Sequence, residues 1–270
     1  MKRLLIRPGA LGDTIVWLPA AESCLRDGGE IWCAGTNVDV VGHLAPARAI
    51  EGSGLDLLEL PGAAVPDGLI GRLCSFDGII SWYGTQRAEF REAIARLGVK
   101  VSFHAALPCE AGDLHAVDYY LNQVGAPPGG TPRVPMPRRD GGYAVIHPFS
   151  GSTKKNWPIE RFREVASRVS GAMEVRWCAG PEEELEGAER FERVAEVAVF
   201  LAGARVYLGN DSGPSHLAAA VGTPVVEMFG PSDPRVWAPR GEWVETFGFA
   251  SGVDAVAAAV IRAGSRRRSG

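Results

Sequence analysis

Between Gly209 and Asp233 the chain reads GNDSGPSHLAAAVGTPVVEMFGPSD, and its polar residues fall where an anion can be held. Val206 to Leu208 is a short apolar run that reads as a buried strand. Asn210-Asp211-Ser212-Gly213 is a polar turn, and His216 to Val221 follows a helical pattern. A strand passing through such a turn into a helix aims the free N–H groups of the first helical turn at a ligand. The helix dipole favours negative charge at the same place. Pro214 suits the start of that helix, because its fixed φ fits and the donor it lacks is not needed there. An ordinary N-cap by Asp211 or Ser212 would explain the turn alone. It would not explain hydroxyl and carboxyl groups packed with His216 beside a second polar turn, Gly230-Pro231-Ser232-Asp233, after the strand-like run Val225 to Phe229. Two polar turns at the ends of successive strands line one crevice in an α/β sheet.

Three other segments carry candidate chemistry. Ser150-Gly151-Ser152-Thr153-Lys154-Lys155-Asn156-Trp157-Pro158 follows another apolar run. The Ser152 and Thr153 hydroxyls, loop N–H groups and a lysine are what a diphosphate needs when no metal neutralises it. The same loop also reads as a polar connection whose Trp157-Pro158 staples the next helix. Gly180-Pro181-Glu182-Glu183-Glu184 closes a further strand. Its acids either complement a helix dipole or hold the two hydroxyls of a ribose. Asp13 stands in Gly9-Ala10-Leu11-Gly12-Asp13, between a strand and a helix. That spacing is not the G-x-G-x-x-G dinucleotide fingerprint. Taken alone, Asp13 reads as the cap of a helix beginning at Thr14, while Gly9 and Gly12 let backbone approach a ligand. No metal site is expected. His43, His104, His115 and His147 are dispersed, and no Asp-x-Asp element occurs. His216 therefore reads as a donor to a diphosphate or as a structural histidine rather than as a metal ligand.

The elements that must position these groups follow from patterning. Short apolar runs alternate with amphipathic stretches throughout, the signature of a parallel sheet covered by helices. In the first half, strands are expected over 4–7, 31–34, 55–60, 78–82 and 99–103, with helices over 14–26, 38–44, 88–97 and 116–124. The stretch 126–142 holds five prolines and four glycines, which makes it an extended linker. Beyond it come strands over 143–147 and 174–179, helices over 159–169 and 194–202, and then the signature segment. The division is thus an amino-terminal domain over 1–126, a linker over 127–142 and a carboxyl-terminal domain over 143–270, with a last helix able to pack back on the first domain.

Composition excludes several classes. At 270 residues the chain can build one large domain or two modest ones. A formal net charge of -4 argues against nucleic acid as a partner, since phosphate-backbone binding needs a basic face. Five scattered cysteines with no C-x-x-C pair fit a reducing cytoplasm, and Cys33 and Cys178 lie inside apolar runs as small buried hydrophobes. No run reaches membrane-spanning length, and the opening residues do not form a signal peptide. Arg266, Arg267 and Arg268 read as part of a solvated tail.

Three segments together resemble glycosyltransferase family 9, the heptosyltransferases of the lipopolysaccharide inner core. They are RLLIRPGALGDTIVWLPA at the amino terminus, HPFSGSTKKNWPIERF in the middle and the Gly209–Asp233 segment. The resemblance implies a GT-B fold, two Rossmann-like domains whose parallel sheets face a central cleft. It implies inverting, metal-independent transfer, without a cofactor, of a heptose from ADP-heptose to a lipid-linked or lipopolysaccharide-core acceptor. The enzyme would be cytoplasmic, with peripheral contact at the inner membrane. Asp13 matches the family's general base toward the acceptor hydroxyl. Donor binding would fall to Ser152, Thr153, Lys155 (two before the Trp of a Lys-x-Trp-Pro element), Glu182 on the ribose, Asp211, Ser212, Gly213 and His216. The first half is shorter than is usual in the family. Two other readings share the donor signature: an epimerase-like nucleotide-sugar enzyme, which needs further acid/base groups, and a non-catalytic binding module with a reduced acceptor domain.

Overall fold

A computed structural model of the chain describes residues 1–60, 62–108, 114–137 and 141–266. Cys109, residues 138–140 of the Pro/Gly stretch, and Arg267 and Arg268 of the tail lie outside the described residues. The chain divides into two compact units, one of residues 1–112 with 117–130, the other of residues 113–116 with 131–270.

The first unit contains β1 (Arg3–Arg7), α1 (Leu11–Cys24), β2 (Gly29–Cys33), α2 (Val38–Val41), β3 (Ala47–Ala49), α3 (Leu69–Cys74), β4 (Gly78–Ser81), α4 (Ala88–Arg96), β5 (Val101–Phe103) and α5 (Ala116–Gln123). Its sheet is parallel, in the order β3-β2-β1-β4-β5. β1 is buried from Leu4 to Arg7, as a central parallel strand covered on both faces must be. α1 is buried from Thr14 to Ala21, and Trp17 meets Trp82 edge-on at 5.3 Å.

The second unit contains β6 (Tyr143–His147), α6 (Ile159–Val169), β7 (Glu174–Trp177), α7 (Val194–Gly203), β8 (Val206–Asn210), α8 (Gly213–Ala220), β9 (Val225–Phe229), α9 (Pro234–Trp237), β10 (Val244–Gly248) and α10 (Val253–Gly264). The sheet order is β10-β9-β8-β6-β7, again parallel. β6, β8 and β9 are buried along their whole lengths. α6 buries Phe162, Val165 and Val169, the three- and four-residue spacing of one helical face. α10 packs on α6 and on its own sheet at β8 and β9.

Each unit is thus a doubly wound, Rossmann-like α/β sheet. In such sheets the strand order reverses at one point, and ligands bind outside the carboxyl ends of the strands there. The reversal lies between β1 and β4 in the first unit and between β6 and β8 in the second.

Three assignments differ from the sequence reading. The run 55–60 is not a strand. Leu55–Glu59 forms a 3-10 helix entered through Gly54 at φ +77, and only Leu55 of it is buried. The outer strand is the three-residue β3, short and half exposed as edge strands often are, which hid it from an apolar-run search. α1 begins at Leu11 rather than Thr14. α8 begins at Gly213 with Ser212 as its N-cap and Pro214 in its first turn, as the turn chemistry predicts. The described part of the Pro/Gly stretch is anchored at both ends, by Gly129 N–H to Asp118 Oδ1 at 2.7 Å and Val134 N–H to the Ala220 carbonyl at 3.0 Å.

Phe162 is fully buried and packs edge-on against Trp157 with ring centroids 5.2 Å apart. Phe162→Ala is expected to cost about 3–5 kcal/mol, the range for emptying a large core site. Denaturant titration followed by tryptophan fluorescence checks this, and a loss below about 1 kcal/mol would contradict the packing.

Candidate functional site

In the second unit the loop after β6 and the turn after β8 converge at the reversal of strand order. Asn210, at the end of β8 and fully buried, donates through Nδ2 to the Pro148 carbonyl at 2.8 Å. Its Oδ1 accepts the Trp157 N–H at 2.9 Å. The Trp157 ring is pinned from the far side by its own Nε1–H donating to the Phe249 carbonyl at 3.1 Å. Between these anchors Ser150 Oγ donates within the loop, lying 2.8 Å from the Ser152 carbonyl and 2.7 Å from Asn156 Oδ1. Lys155 N–H closes a tight turn on the Ser152 carbonyl at 2.9 Å. That turn delivers Lys155 Nζ to Asp211 Oδ2 at 2.6 Å. The Asp211 side chain is 7% exposed and that of Lys155 37%, so the carboxylate is the fixed member and the ammonium the accessible one.

Ser152 and Thr153 are exposed on the same loop, while Lys154 points no bond into the pair. Ser212 is the N-cap residue of α8, and Gly213 opens the helix with Pro214 behind it. Ser215 and His216 turn their N–H groups back to the Ser212 carbonyl, at 3.2 and 3.5 Å. His216 is buried and feels Asp211, His115 and Lys155. Burial pushes its pKa down to about 4, with Lys155 and His115 working the same way and Asp211 against. At neutral pH the ring is uncharged, so toward an anion it can serve as a hydrogen-bond donor and not as a cation. The turn Gly230–Asp233 supports the site from behind. A Cβ at Gly230 would stand 3.3 Å from the Lys154 carbonyl oxygen, whereas Asp233 only caps α9 and pairs with Arg235.

Of the acids after β7, Glu182 is exposed and Glu183 is half-buried. Glu183 Oε2 accepts the Gly180 N–H at 2.6 Å and faces His147 Nε2 at 3.1 Å. Burial alone would raise the Glu183 pKa. The hydrogen bonds from His147 and Gly180 outweigh it, and the carboxyl lies below its ordinary range. A run of three glutamates offers no way to choose among them. The choice comes from the turn at Gly180, which sends the third residue beyond it back to the sheet. One further acid escaped motif reading altogether. Glu227 sits at the middle of β9, wholly buried, and its signal was a single charged residue inside VVEMF.

In the first unit the turn after β1 carries Gly9 at φ +143, and a Cβ there would stand 2.9 Å from Arg7 NH1 and 3.4 Å from Asp13 Oδ2. Only glycine fits. Asn37, buried, clamps the turn by donating to the Gly9 carbonyl at 3.0 Å and to Thr14 Oγ1 at 2.8 Å. Arg7 is buried too, stacked on Tyr120 and donating to its hydroxyl at 2.9 Å. Because α1 starts at Leu11, with Ala10 as N-cap, Gly12 and Asp13 belong to its first turn and Asp13 is not a cap. Its carboxylate is partly exposed, and among the described residues no hydrogen bond or ion pair engages it. Among the described residues there is also no group of three or more His, Cys, Asp or Glu side chains placed to hold a metal ion. Nor is any helix among them long and apolar enough to cross a membrane.

The family match falls within the second unit. The family model described as glycosyltransferase family 9 (heptosyltransferase) matches residues 135–253. The lipopolysaccharide heptosyltransferase 1 of Escherichia coli K12 is 32% identical over 117 residues, which is 37% of this chain and 35% of that protein. The Pseudomonas aeruginosa protein of the same name is 36% identical over 93 residues, 30% of this chain and 26% of that one. The matched sequence therefore spans about a third or less of the length of these curated relatives. Likeness of fold extends further. The E. coli heptosyltransferase WaaC with ADP superposes with a TM-score of 0.68 at 18% identity, over 97% of this chain and all of that one. A family 9 glycosyl transferase from Veillonella parvula gives 0.70 at 16% identity, over 98% and 92%.

The buried, uncharged His216 has a measurable consequence. Its folded-state pKa of about 4 lies below the ordinary histidine value, so between roughly pH 6.5 and 4 the unfolded chain binds the extra proton. The stability this neutral ring allows is complete above pH 6.5 and is lost as pH falls toward 4. His216→Asn is expected to flatten that acid limb in denaturant titrations from pH 7.5 to 4. A limb of unchanged slope would show that His216 already carries its proton in the folded protein.

Proposed function

We propose that this chain, whose residues 135–253 match the model of glycosyltransferase family 9, is an inverting, metal-independent glycosyltransferase that moves a sugar from a nucleoside diphosphate to a glycan acceptor. Heptose from ADP-heptose is the donor in this reading, and a lipid-linked or lipopolysaccharide-core saccharide the acceptor. Transfer takes place in the cytoplasm, with peripheral contact at the inner membrane. The observation that carries the proposal is the Lys155–Asp211 pair, 2.6 Å long, at the reversal of strand order beneath the N-terminus of α8.

Each unit supplies one part of the chemistry. On the second, Lys155 and the α8 N-terminus meet the diphosphate and stabilise the charge it gains as the glycosidic bond breaks. Asp211 acts through Lys155, since a buried carboxylate against a phosphate would repel it. Ser152 and Thr153 donate hydroxyls, Gly213 a main-chain N–H, and neutral His216 a ring N–H. Glu183, rather than Glu182, takes the ribose hydroxyls, because it is the acid held at the strand end with a free lone pair. On the first unit Asp13 is the general base. It takes the proton of the acceptor hydroxyl as that oxygen attacks the anomeric carbon opposite the departing diphosphate, which inverts the configuration. Gly9 and Gly12 keep the approach to it open.

Titration of ADP by calorimetry separates the two glutamates. Glu183→Gln is expected to bind about tenfold more weakly, the scale of a hydrogen bond to a charged group, and Glu182→Gln as the parent. The reverse order would restore Glu182 to the site.

Asp13→Asn tests the base. It is expected to melt with the parent, bind ADP unchanged and lower transfer by roughly 10²–10⁴-fold, measured with a nucleotide sugar and a lipid A–Kdo acceptor in EDTA. Turnover close to the parent's would remove Asp13 from the mechanism. Parent activity that vanishes in EDTA and returns with magnesium would overturn metal independence.

A further inference from the structure

Glu227 is the only carboxylate of the second unit's described residues that is wholly buried in the sheet. It stands opposite Gly209 in the β8–β9 register, on the strand next to the one that ends in Asn210 and leads into Asp211. Its Oε1 is hydrogen-bonded to Ser215 Oγ, while Oε2 is buried with no hydrogen-bond partner among the described residues. Among those residues no cation forms an ion pair with it, the nearby Lys155 being taken by Asp211.

Two acceptors stand within reach of the one Ser215 hydroxyl proton. Ser215 Oγ lies 2.7 Å from the Ser212 carbonyl and 3.4 Å from the Ser212 N–H, besides its contact with Glu227. A hydroxyl has one proton to give. The Ser212 carbonyl can only accept, and with the hydroxyl proton directed to it, the contact with Glu227 takes its proton from the carboxyl. An ionised Glu227 would leave two acceptors competing for one hydrogen.

We propose that Glu227 is a positioning residue of the donor site, an un-ionised carboxylic acid that donates to Ser215 and through it locks the Ser212 main chain at the head of α8. This rests on the reading of that helix end as the diphosphate site. Burial supports the neutral state, holding the Glu227 carboxyl well above the carboxylate range, with Asp211 acting in the same direction and Ser215 and Lys155 against it. Locking the Ser212 main chain has a consequence for the ligand. Ser215 and His216 N–H groups are turned to the Ser212 carbonyl and Pro214 has none, so Gly213 supplies the first-turn donor left for an anion. The neutral acid does this without placing a negative charge under a site that must accept a diphosphate.

The test combines Glu227→Gln, which keeps a neutral donor of the same size, and Glu227→Leu, which keeps the bulk and removes the donor. Infrared difference spectra of parent against Glu227→Gln at neutral pH are expected to show the carbonyl stretch of a protonated acid, and carboxylate bands in its place would overturn the proposal. ADP titration is expected to find Glu227→Gln within about threefold of the parent and Glu227→Leu roughly tenfold weaker, on the scale of one lost hydrogen bond. Parent-like affinity in Glu227→Leu would overturn the positioning role, as would Glu227→Gln binding no better than Glu227→Leu. Should Glu227→Leu fail to fold, the spectrum and the Gln variant still decide. A parent that does not bind ADP at all would instead sink the donor reading, while the infrared band would go on reporting whether the acid is neutral.

Discussion

Asn210 gives its amide nitrogen to the Pro148 carbonyl and takes the Trp157 N–H on its oxygen, so one buried side chain joins the loop after β6 to the end of β8. Both loops leave the sheet where the strand order reverses, and neither contains regular structure long enough to place itself. A buried amide satisfied on both ends is rigid, because breaking either bond strands a polar group away from water. Everything the second unit offers a ligand hangs from this joint: the turn Ser152–Lys155, the reach of Lys155 to Asp211 and the entry into α8.

The charges of that site are arranged economically. Asp211 has Lys155 beside it, His216 is neutral, and Glu227 keeps its proton, so the buried groups carry no uncompensated negative charge beneath the helix. The ammonium of Lys155 is accessible and the α8 dipole is unopposed. Burying an isolated charge costs far more than burying a neutral hydrogen-bonded group. Burial therefore selects the protonation states, and those states favour an incoming anion.

The first unit solves a different problem, that of keeping a carboxylate unengaged. Gly9 admits Arg7 and Asp13 close to one backbone position, and Asn37 holds the turn by its carbonyl. Arg7 spends its donors on Tyr120 and Pro8. Asp13, one turn into α1, is left partly exposed at a helix start, where the dipole tolerates a negative charge.

Much of this was legible in the residues alone. Alternating apolar runs and helical faces establish α/β structure because a parallel strand must be apolar on both faces and its covering helix on one. Strand–turn–helix passages with glycine and small polar residues mark Gly9–Asp13, Ser150–Trp157 and Asn210–His216 for the same local reason, since a helix start leaves N–H groups to be used. What those patterns lack is distance. The start of α1 slipped by three residues from Thr14, because capping residues do not show which turn takes up helical φ and ψ first. β3 and the 3-10 turn at Leu55 were exchanged, because an edge strand half in water carries no apolar run. Only tertiary structure shows that Glu183, and not Glu182, returns to the sheet, since one residue's difference along a turn decides which side chain does so. It alone revealed that Glu227 stands under α8, across a β8–β9 register that local sequence does not encode. Local chemistry could name the groups, but which of them share a desolvated space, and hence which keep or lose a proton, is a property of the packed sheet.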